Sequence, residues 1–481
     1  MHFSVILRVT GILLTLFSMA MLLPAAVAWY YDEATIAAFV WAFAITAGVG
    51  GSLWLLVRSV PDLRSRDGFL ITVLFYAALG TFGALPLWLL ERGALSFTDA
   101  LFESLSGLTT TGATVLTGLD DLPRSILFYR QFLQWLGGMG IIVLAVAILP
   151  MLGIGGMQLY RAESPGPVKD SKLTPRITET AKALWYLYLG ITILCAISYA
   201  AAGMEPFDAI CHSFSTVAIG GFSTHDGSLG HFDSVAIEGV AMFFMVVAAI
   251  NFGLHFTAFS RRKPGYYLRD WEVRLFIGSL ITIGAIICTV LIAHPDSTDS
   301  PIREGLFQTI SIATTTGFTT TDFSVWPSVV PVLLLLAAFA GGCAGSTAGG
   351  IKMVRVLLIY LQGLREVRRL IHPAGVFPLK LGHASVSDRV VEAVWGFFAA
   401  YVFIFLFMVC AIMLLAPVDF ITAFSAVGAC LNNLGPGLGE VALNYTHQTT
   451  ATKWILILAM LLGRLEIFTL LVLLTPAFWR R

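Results

Sequence analysis

Charge is scarce in this sequence: Asp, Glu, Lys and Arg make up 12% of its 481 residues, and 29 basic side chains are balanced by 29 acidic ones. That balance points neither to nucleic acid nor to a peripheral role on a charged membrane surface. Cysteine is sparse too. Cys195, Cys211, Cys288, Cys343, Cys410 and Cys430 are scattered, mostly inside apolar runs, and form no CxxC pair. They read as small core residues, and no disulfide or thiolate metal site is expected. The GxxxxGK[ST] spacing of a phosphate-binding loop is missing. An embedded enzyme would need converging His, Asp or Glu groups within membrane reach, and these residues gather instead in expected outer loops. His225, His231 and His294 lie there without metal-ligand spacing, and no role is expected for them.

What fills the chain is apolar surface, at 57% of residues, in several uninterrupted runs that exceed the roughly 18 residues needed to cross a bilayer core. A polytopic membrane protein is expected. The first run is soon followed by another with no small-residue cleavage pattern, so it reads as a retained helix.

The stretch DALFESLSGLTTTGAT, Asp99 to Thr114, recurs at nearly even intervals. Thirteen residues separate Asp99 from Gly112, Asp208 from Gly221 and Glu304 from Gly317. The same offsets carry hydroxyl pairs: Ser104 and Ser106, Ser213 and Ser215, Thr309 and Ser311. A fourth copy ends at Gly435 and keeps the apolar run, but Thr422, Val427 and Ala429 replace the acid and the hydroxyls. Glycine spacings of 109, 96 and 118 residues mark four repeats.

The expected architecture is all-α and polytopic, with four pseudo-symmetric helix, pore loop, helix repeats around one ion pore. Residues 1–67 supply two preceding transmembrane helices. The repeats follow at 68–160, 161–263, 264–382 and 383–481, the third containing an interrupted segment at 341–350. In this topology 23 of the 29 Lys and Arg residues fall on one side, which the positive-inside rule makes cytoplasmic. That bias fits only if the half-length helices re-enter the membrane from outside without crossing it.

Irregular backbone at membrane depth is tolerated only inside protein or along a water-filled cavity. Four such loops in one chain therefore suggest the walls of one pore. A short helix ending beside the axis directs its negative pole there, where a cation is favoured. Glycine lets the backbone turn carbonyls inward, and threonine adds hydroxyl oxygens. Such oxygens can replace the hydration shell of an alkali ion. Asp120, Asp121, Asp226, Asp322 and Glu440 follow the glycines by five to nine residues and are expected to form an acidic outer vestibule.

The segments TTTGAT, GGFST, TTTGFT and NNLGPG, in that order, resemble the filter segments of the Trk/Ktr potassium transporter superfamily. FYRQFLQWLGGMGIIVLAVAILP, GGCAGST, LNNLGPGLGEVAL and GRLEIFTLL are similar to the TrkH/TrkG type of bacterial membrane subunit. The resemblance implies potassium uptake across the bacterial inner membrane through a gated, selective pore, with K+ as the transported ion and no organic cofactor on this chain. As partners it implies a second copy in a homodimer and a cytoplasmic TrkA-like ring binding a nucleotide, NAD(H) or ATP/ADP. Carried onto this sequence, the filter comprises Thr110, Thr111, Gly112 and Ala113; Ile219, Gly220, Gly221 and Phe222; Thr315, Thr316, Gly317 and Phe318; and Asn433, Leu434, Gly435 and Pro436. Of the two adjacent glycines in the second segment, Gly221 is chosen for its offset from Asp208. None of the four segments reads TVGYG, so fewer regular carbonyl rings are expected than in a tetrameric potassium channel.

Two further features read as a gate. GGCAGSTAGG, with Gly341, Gly342, Gly345, Ser346, Thr347, Gly349 and Gly350, interrupts a spanning helix, and each glycine costs a helix about 1 kcal/mol relative to alanine. The alternative is close helix packing through small residues. Arg464 lies inside an apolar run, where insertion costs roughly 2.5–3.5 kcal/mol. The family resemblance favours a positive barrier below the filter, against a salt bridge to a distant acid. Glu466, two positions on, is the strongest intramembrane acid by sequence. A secondary K+/H+ or K+/Na+ symporter is the alternative function. A potential of about 100 mV supplies about 2.3 kcal/mol per charge, close to a fiftyfold gradient, so passive entry suffices at most outside concentrations.

Overall fold

The computed structural model describes residues 3–57, 65–90, 95–143, 177–382 and 384–480. The expected boundary at 160/161 lies outside them, as do Arg58, Arg64, Arg161, Lys169, Lys172, Arg176 and Arg481. Among the described residues the chain is almost wholly helical, with a single two-stranded ribbon at Lys380–Leu381 and Ala384–Ser385. In hydrocarbon every backbone N–H and C=O needs an internal partner, and the α-helix supplies one within each segment.

Helix α1 (Phe3–Ala20), continued by Leu22–Tyr30, packs along α2 (Ile36–Leu56). They meet through small residues: a side-chain carbon at Gly11 would strike Gly50 O, and one at Gly50 would strike the Thr15 backbone. The connection after α1 is pinned by Glu33, whose carboxylate accepts the Arg124 and Ser125 amides at 2.7 and 3.1 Å and the Ser125 hydroxyl.

The remainder repeats one plan. In the first unit α3 (Ser65–Gly83) and α5 (Arg124–Val143) flank the short α4 (Phe97–Leu108). In the second, α6 (Ile177–Ala201) and α8 (Val235–Ala248) with α9 (Phe252–Ser260) flank α7 (Pro206–Ala218). The third sets α10 (Trp271–Ala293), then α12 (Val329–Ala340) and α13 (Met353–Ile371), around α11 (Pro301–Ala313). The fourth sets α14 (Asp388–Leu415), then α16 (Thr450–Arg464) and α17 (Phe468–Leu474), around α15 (Phe420–Leu431). Each short helix touches both flanking helices of its own unit and the second flanking helix of the unit before it: α5 on α7, α8 on α11, α12 on α15, and α16 back on α4. The circuit closes.

Four helices of 12 or 13 residues rise only about 1.5 Å per residue and cannot cross a core about 30 Å thick. They re-enter, as expected. The repeated acids sit at their first turns, where a negative charge offsets the helix dipole: Asp99, Asp208 and Glu304. The fourth copy keeps an acid too, moved to the N-cap, where Asp419 accepts the Ile421 and Thr422 amides at 3.0 and 3.3 Å. Asp99 also pairs with Lys453 of α16 at 2.6 Å, joining the fourth unit to the first.

Among the described residues six helices are individually long and apolar enough to span, and two bent pairs bring the number to as many as eight. Both bends break apolar runs whose sequence reads as one continuous spanning helix. The chain turns by 93° between α8 and α9 and by 116° between α16 and α17. At the second bend Glu466 and Ile467 both take positive φ, 54° and 49°, a conformation β-branched residues rarely adopt.

Glu33 joins the first hairpin to α5, so Glu33→Ala removes bonds to a charged acceptor worth about 1.5–3 kcal/mol each. The thermal unfolding midpoint in detergent should fall by several degrees. An unchanged midpoint would show that the hairpin is held by packing alone.

Candidate functional site

All four short helices end in the same way. The residue after the last turn takes left-handed φ, +54° at Thr110, +55° at Ile219, +63° at Thr315 and +53° at Asn433. The next residue donates its N–H back five positions, Thr111 to Ser106, Gly220 to Ser215, Thr316 to Ser311 and Leu434 to Ala429, each at 2.8 Å. This is a Schellman ending, which normally places glycine at the left-handed position. Here threonine, isoleucine and asparagine occupy it, at a cost of about 1–3 kcal/mol each. Strain repeated at four equivalent positions marks a backbone shape the fold imposes.

Two residues later comes a glycine, also at positive φ: 82° at Gly112, 77° at Gly221, 85° at Gly317 and 99° at Gly435. The positive φ belongs to Gly221, not Gly220, in agreement with the offset from Asp208. Positive φ at alternate residues turns every second peptide plane over, so carbonyls that a strand would send to opposite sides come to face one side.

The glycines are also required by their neighbours. A side-chain carbon at Gly112 would overlap Gly220 O, at Gly221 Thr316 O, at Gly317 Leu434 O, and at Gly435 Thr111 O. Each turn therefore seats a carbonyl of the next unit, and the fourth returns to the first. The sixteen residues assigned from sequence are brought together in one ring.

Polar side chains on α5 hold part of this ring from behind. Gln134 donates Nε2 to Gly220 O at 2.6 Å and accepts the Phe222 amide at 3.1 Å, while Gln131 donates to Phe222 O at 3.1 Å. Arg130 and Glu103, each 1% exposed, pair at 2.7 Å. Arg130 also donates to Ser223 O at 3.1 Å and to Thr114 Oγ1 at 3.0 Å, with its guanidinium 4.3 Å from the Phe222 ring centroid. Glu103 Oε2 accepts the Val115 amide at 3.0 Å. Ser311 donates to Phe318 O at 2.6 Å and Tyr445 to Gly435 O at 2.8 Å. Sequence reading missed this network, although charged and amide residues inside apolar runs, Glu103 and Arg130 with Gln134 four positions on, were its visible signal. Buried acids are also more numerous than expected: Glu103, Asp67 and Glu272 are all buried, whereas Glu466 pairs with Arg355 at 2.8 Å.

Beyond the ring a cavity of about 300 Å³ is lined by all four glycines. Of the five acids expected around it, Asp226 lines it among the described residues, and its carboxylate accepts the Leu119 amide at 2.9 Å. The other four do not line it and make local contacts instead. Asp322 caps Phe323–Val325 through the Ser324 amide at 2.9 Å, Glu440 accepts from Gln448 at 3.3 Å, and Asp120 and Asp121 belong to the turn Leu119–Asp121. Asp120 bonds His225, itself a residue of the cavity lining. That hydrogen bond holds the Asp120 carboxyl below its usual range. Burial disfavours charge on His225, but its bonds to Asp208 and Asp120 outweigh this and raise its affinity for a proton.

Behind the ring, Gly341–Gly350 is non-helical as expected and presses against it. Thr347 Oγ1 donates to Val217 O at 3.0 Å, Gly349 N–H to Thr315 Oγ1 at 2.7 Å, and Gly350 N–H to Asn432 O at 3.1 Å. Glu272 of α10 anchors its base by accepting the Ala344 amide at 2.9 Å. Gly341, Gly345 and Gly350 take positive φ. Gly342 packs on Ala249 and Ser346 folds back on Cys343 O. Arg464, 2% exposed, ends α16 and donates to Thr347 O at 3.3 Å and Gly137 O at 3.0 Å. Among the described residues no acid pairs with it within 4.0 Å, so the distant salt bridge is not formed. Loop and arginine together reach structures below all four turns, since Gly137 itself abuts Leu108 O at the end of α4.

The sequence model of the TrkH family, described as a cation transport protein, matches residues 35–481. The Trk system potassium uptake protein TrkH of Vibrio parahaemolyticus is 57% identical over 487 residues, covering all of both chains. TrkG of Escherichia coli K12, also a Trk system potassium uptake protein, is 43% identical over 100% of this chain and 99% of its own. The crystal structure of the potassium transporter TrkH from Vibrio parahaemolyticus matches with a TM-score of 0.92 at 53% identity, covering both chains completely.

Removing one member of a buried ion pair leaves the other uncompensated, a loss of about 3–5 kcal/mol. Glu103→Ala should therefore give far less folded protein than Glu103→Gln, which retains an acceptor for Arg130. Size-exclusion profiles and unfolding midpoints of the two variants measure this, and equal values would remove the pair from the ring's support.

Proposed function

The chain belongs to the TrkH family of cation transport proteins, and from that membership and the closed ring of turns we propose that it takes up potassium as the membrane subunit of a Trk system. It is a multi-pass protein of the bacterial inner membrane. The observation that carries the reading is the fourfold repeat of one strained turn around a common axis. Backbone oxygens fixed by such turns replace water around a dehydrated alkali cation without having to be ordered when the ion arrives.

In this reading Thr110–Ala113, Ile219–Phe222, Thr315–Phe318 and Asn433–Pro436 form the filter, and the cavity beyond them faces outside. Asp226 at its lining raises the local cation concentration. The functional division follows the repeats at 68–160, 161–263, 264–382 and 383–481, with 1–67 as an added hairpin. The pore is gated. Gly341–Gly350 closes the path below the filter, and Arg464 adds a positive charge that an entering cation must pass. Opening requires the Gly349 and Gly350 amides to leave Thr315 and Asn432, bonds worth about 0.5–1.5 kcal/mol each. A regulatory partner can supply an energy of that size. The partner is a TrkA-like nucleotide-binding ring on the cytoplasmic side, where α13 presents Arg368 and Arg369, and two copies of this chain share it as a homodimer. Arg355 and Arg365 of the same helix are paired with Glu466 and Asp388, which ties α13 to α14 and to the bend after α16.

Four measurements test this. Purified protein in proteoliposomes should take up 86Rb+ down a potassium gradient, and growth of a potassium-uptake-deficient bacterium at low potassium should be rescued with the regulatory subunit present; failure of both removes the reading. Gly112→Ser places a side chain against Gly220 O, so the preference for potassium over sodium should fall severalfold in reversal potentials in mixed salts. An unchanged reversal potential would dissociate Gly112 from selectivity. Arg464→Ala should raise potassium flux severalfold without the regulatory subunit, whereas flux equal to wild type would take Arg464 out of the gate.

A further inference from the structure

Asp120 belongs to the first unit, while His225 and His231 share one outer loop of the second, and one ligating atom from each of the three lies within 4.8 Å of the others. The His225 and His231 rings are stacked, 3.6 Å between centroids and 3° apart. His225 Nδ1 faces an Asp120 carboxylate oxygen. Its other nitrogen, Nε2, lies 3.3 Å from Asp208 Oδ2, and Asp208 is itself fixed by the Thr224 hydroxyl at 2.8 Å. A carboxylate behind one imidazole nitrogen fixes the ring, and a metal at the other nitrogen would take the place of the proton that nitrogen shares with Asp120. The cluster therefore has both a ligand set and the support that orients it.

We propose that Asp120, His225 and His231 bind a divalent cation of the zinc class at the rim of the outer cavity, and that its occupancy slows ion entry. Two imidazoles and one carboxylate suit zinc, cobalt, nickel or copper, whereas magnesium and calcium favour all-oxygen sets. Around tetrahedral zinc, ligands at about 2.0–2.1 Å stand about 3.3 Å apart. The present spread closes to that by rotation of two exposed side chains, Asp120 and His231. Water fills the fourth position on the solvent side.

The placement gives the site a consequence. His225 and Asp226 both line the cavity shared by the four glycines, and Asp120 lies in the turn whose Leu119 amide Asp226 holds. A bound dication would clamp the outer turn of the first unit to that of the second and add positive charge at the mouth, opposing the attraction that Asp226 supplies. This second clause rests on the proposed transport function; binding itself does not.

Binding is tested on full-length purified protein, with any affinity tag removed and after chelator treatment, by titrating zinc chloride against a chromophoric zinc indicator. One zinc ion per chain should bind, unaffected by excess magnesium or calcium, and His231→Ala should weaken it at least tenfold. Equal binding by wild type and the His225→Ala/His231→Ala double variant would overturn the site. In proteoliposomes, zinc should slow 86Rb+ uptake by wild type and have little effect on His231→Ala, whose uptake without zinc should match wild type. Intact zinc binding with uptake insensitive to zinc would overturn the effect on entry. Absence of 86Rb+ uptake by wild type with intact zinc binding would count against the transport reading and leave the site standing.

Discussion

Everything in this structure depends on a contact that allows no side chain: the α-carbon of a glycine in one unit lies against a backbone carbonyl of the next. Gly112 meets Gly220, Gly221 meets Thr316, Gly317 meets Leu434 and Gly435 meets Thr111. Ring closure in a single chain lacks the exact symmetry of an oligomer, so equivalence must be rebuilt by four different sequences. The common element is backbone conformation, held by the same five-residue back-bond after each short helix. Side chains vary around it, threonine, isoleucine or asparagine at the strained position, because packing and local hydrogen bonds can force any of them into it.

The supports are unequal. The first and second turns share a dense polar network of Arg130, Gln131 and Gln134 from α5 and Glu103 from α4. The third is held by Ser311, and the fourth by Tyr445 and by Asn433, which donates to Thr111 at 3.0 Å. Beneath them the interrupted segment borrows its hydrogen-bond partners from the ends of the short helices and from the turns. A loop that satisfies its amides on the ring has a defined resting place, and in the proposed gating it is the part that moves. The cost of moving it is a few hydrogen bonds, not the unfolding of a helix.

The repeats were legible in the sequence because they rest on local signals: an acid, hydroxyls and a glycine at fixed offsets, followed by a restart of apolar runs. The interruption at Gly341–Gly350 was visible as a glycine excess. The bends after α8 and α16 were not, since Ala249–Asn251 and Leu465–Ile467 carry neither glycine nor proline and are turned by tertiary contacts, such as the Asn251 side chain capping α9 at 2.7 Å. The expected acidic vestibule was read from sign alone. Turn chemistry claims Asp322, and Asp120 is engaged by a histidine from another repeat, which no single-sequence pattern encodes. His225 and His231, given no role from spacing, proved to be neighbours of Asp120 only through the fold.

The central claim is that backbone oxygens of the four turns stand in for water around a dehydrated cation on their common axis. Anomalous diffraction from crystals grown with thallium in place of potassium tests it most directly. The account predicts anomalous density on the axis encircled by Gly112, Gly221, Gly317 and Gly435. Ordered density elsewhere in the protein, with none inside that circle, would contradict it.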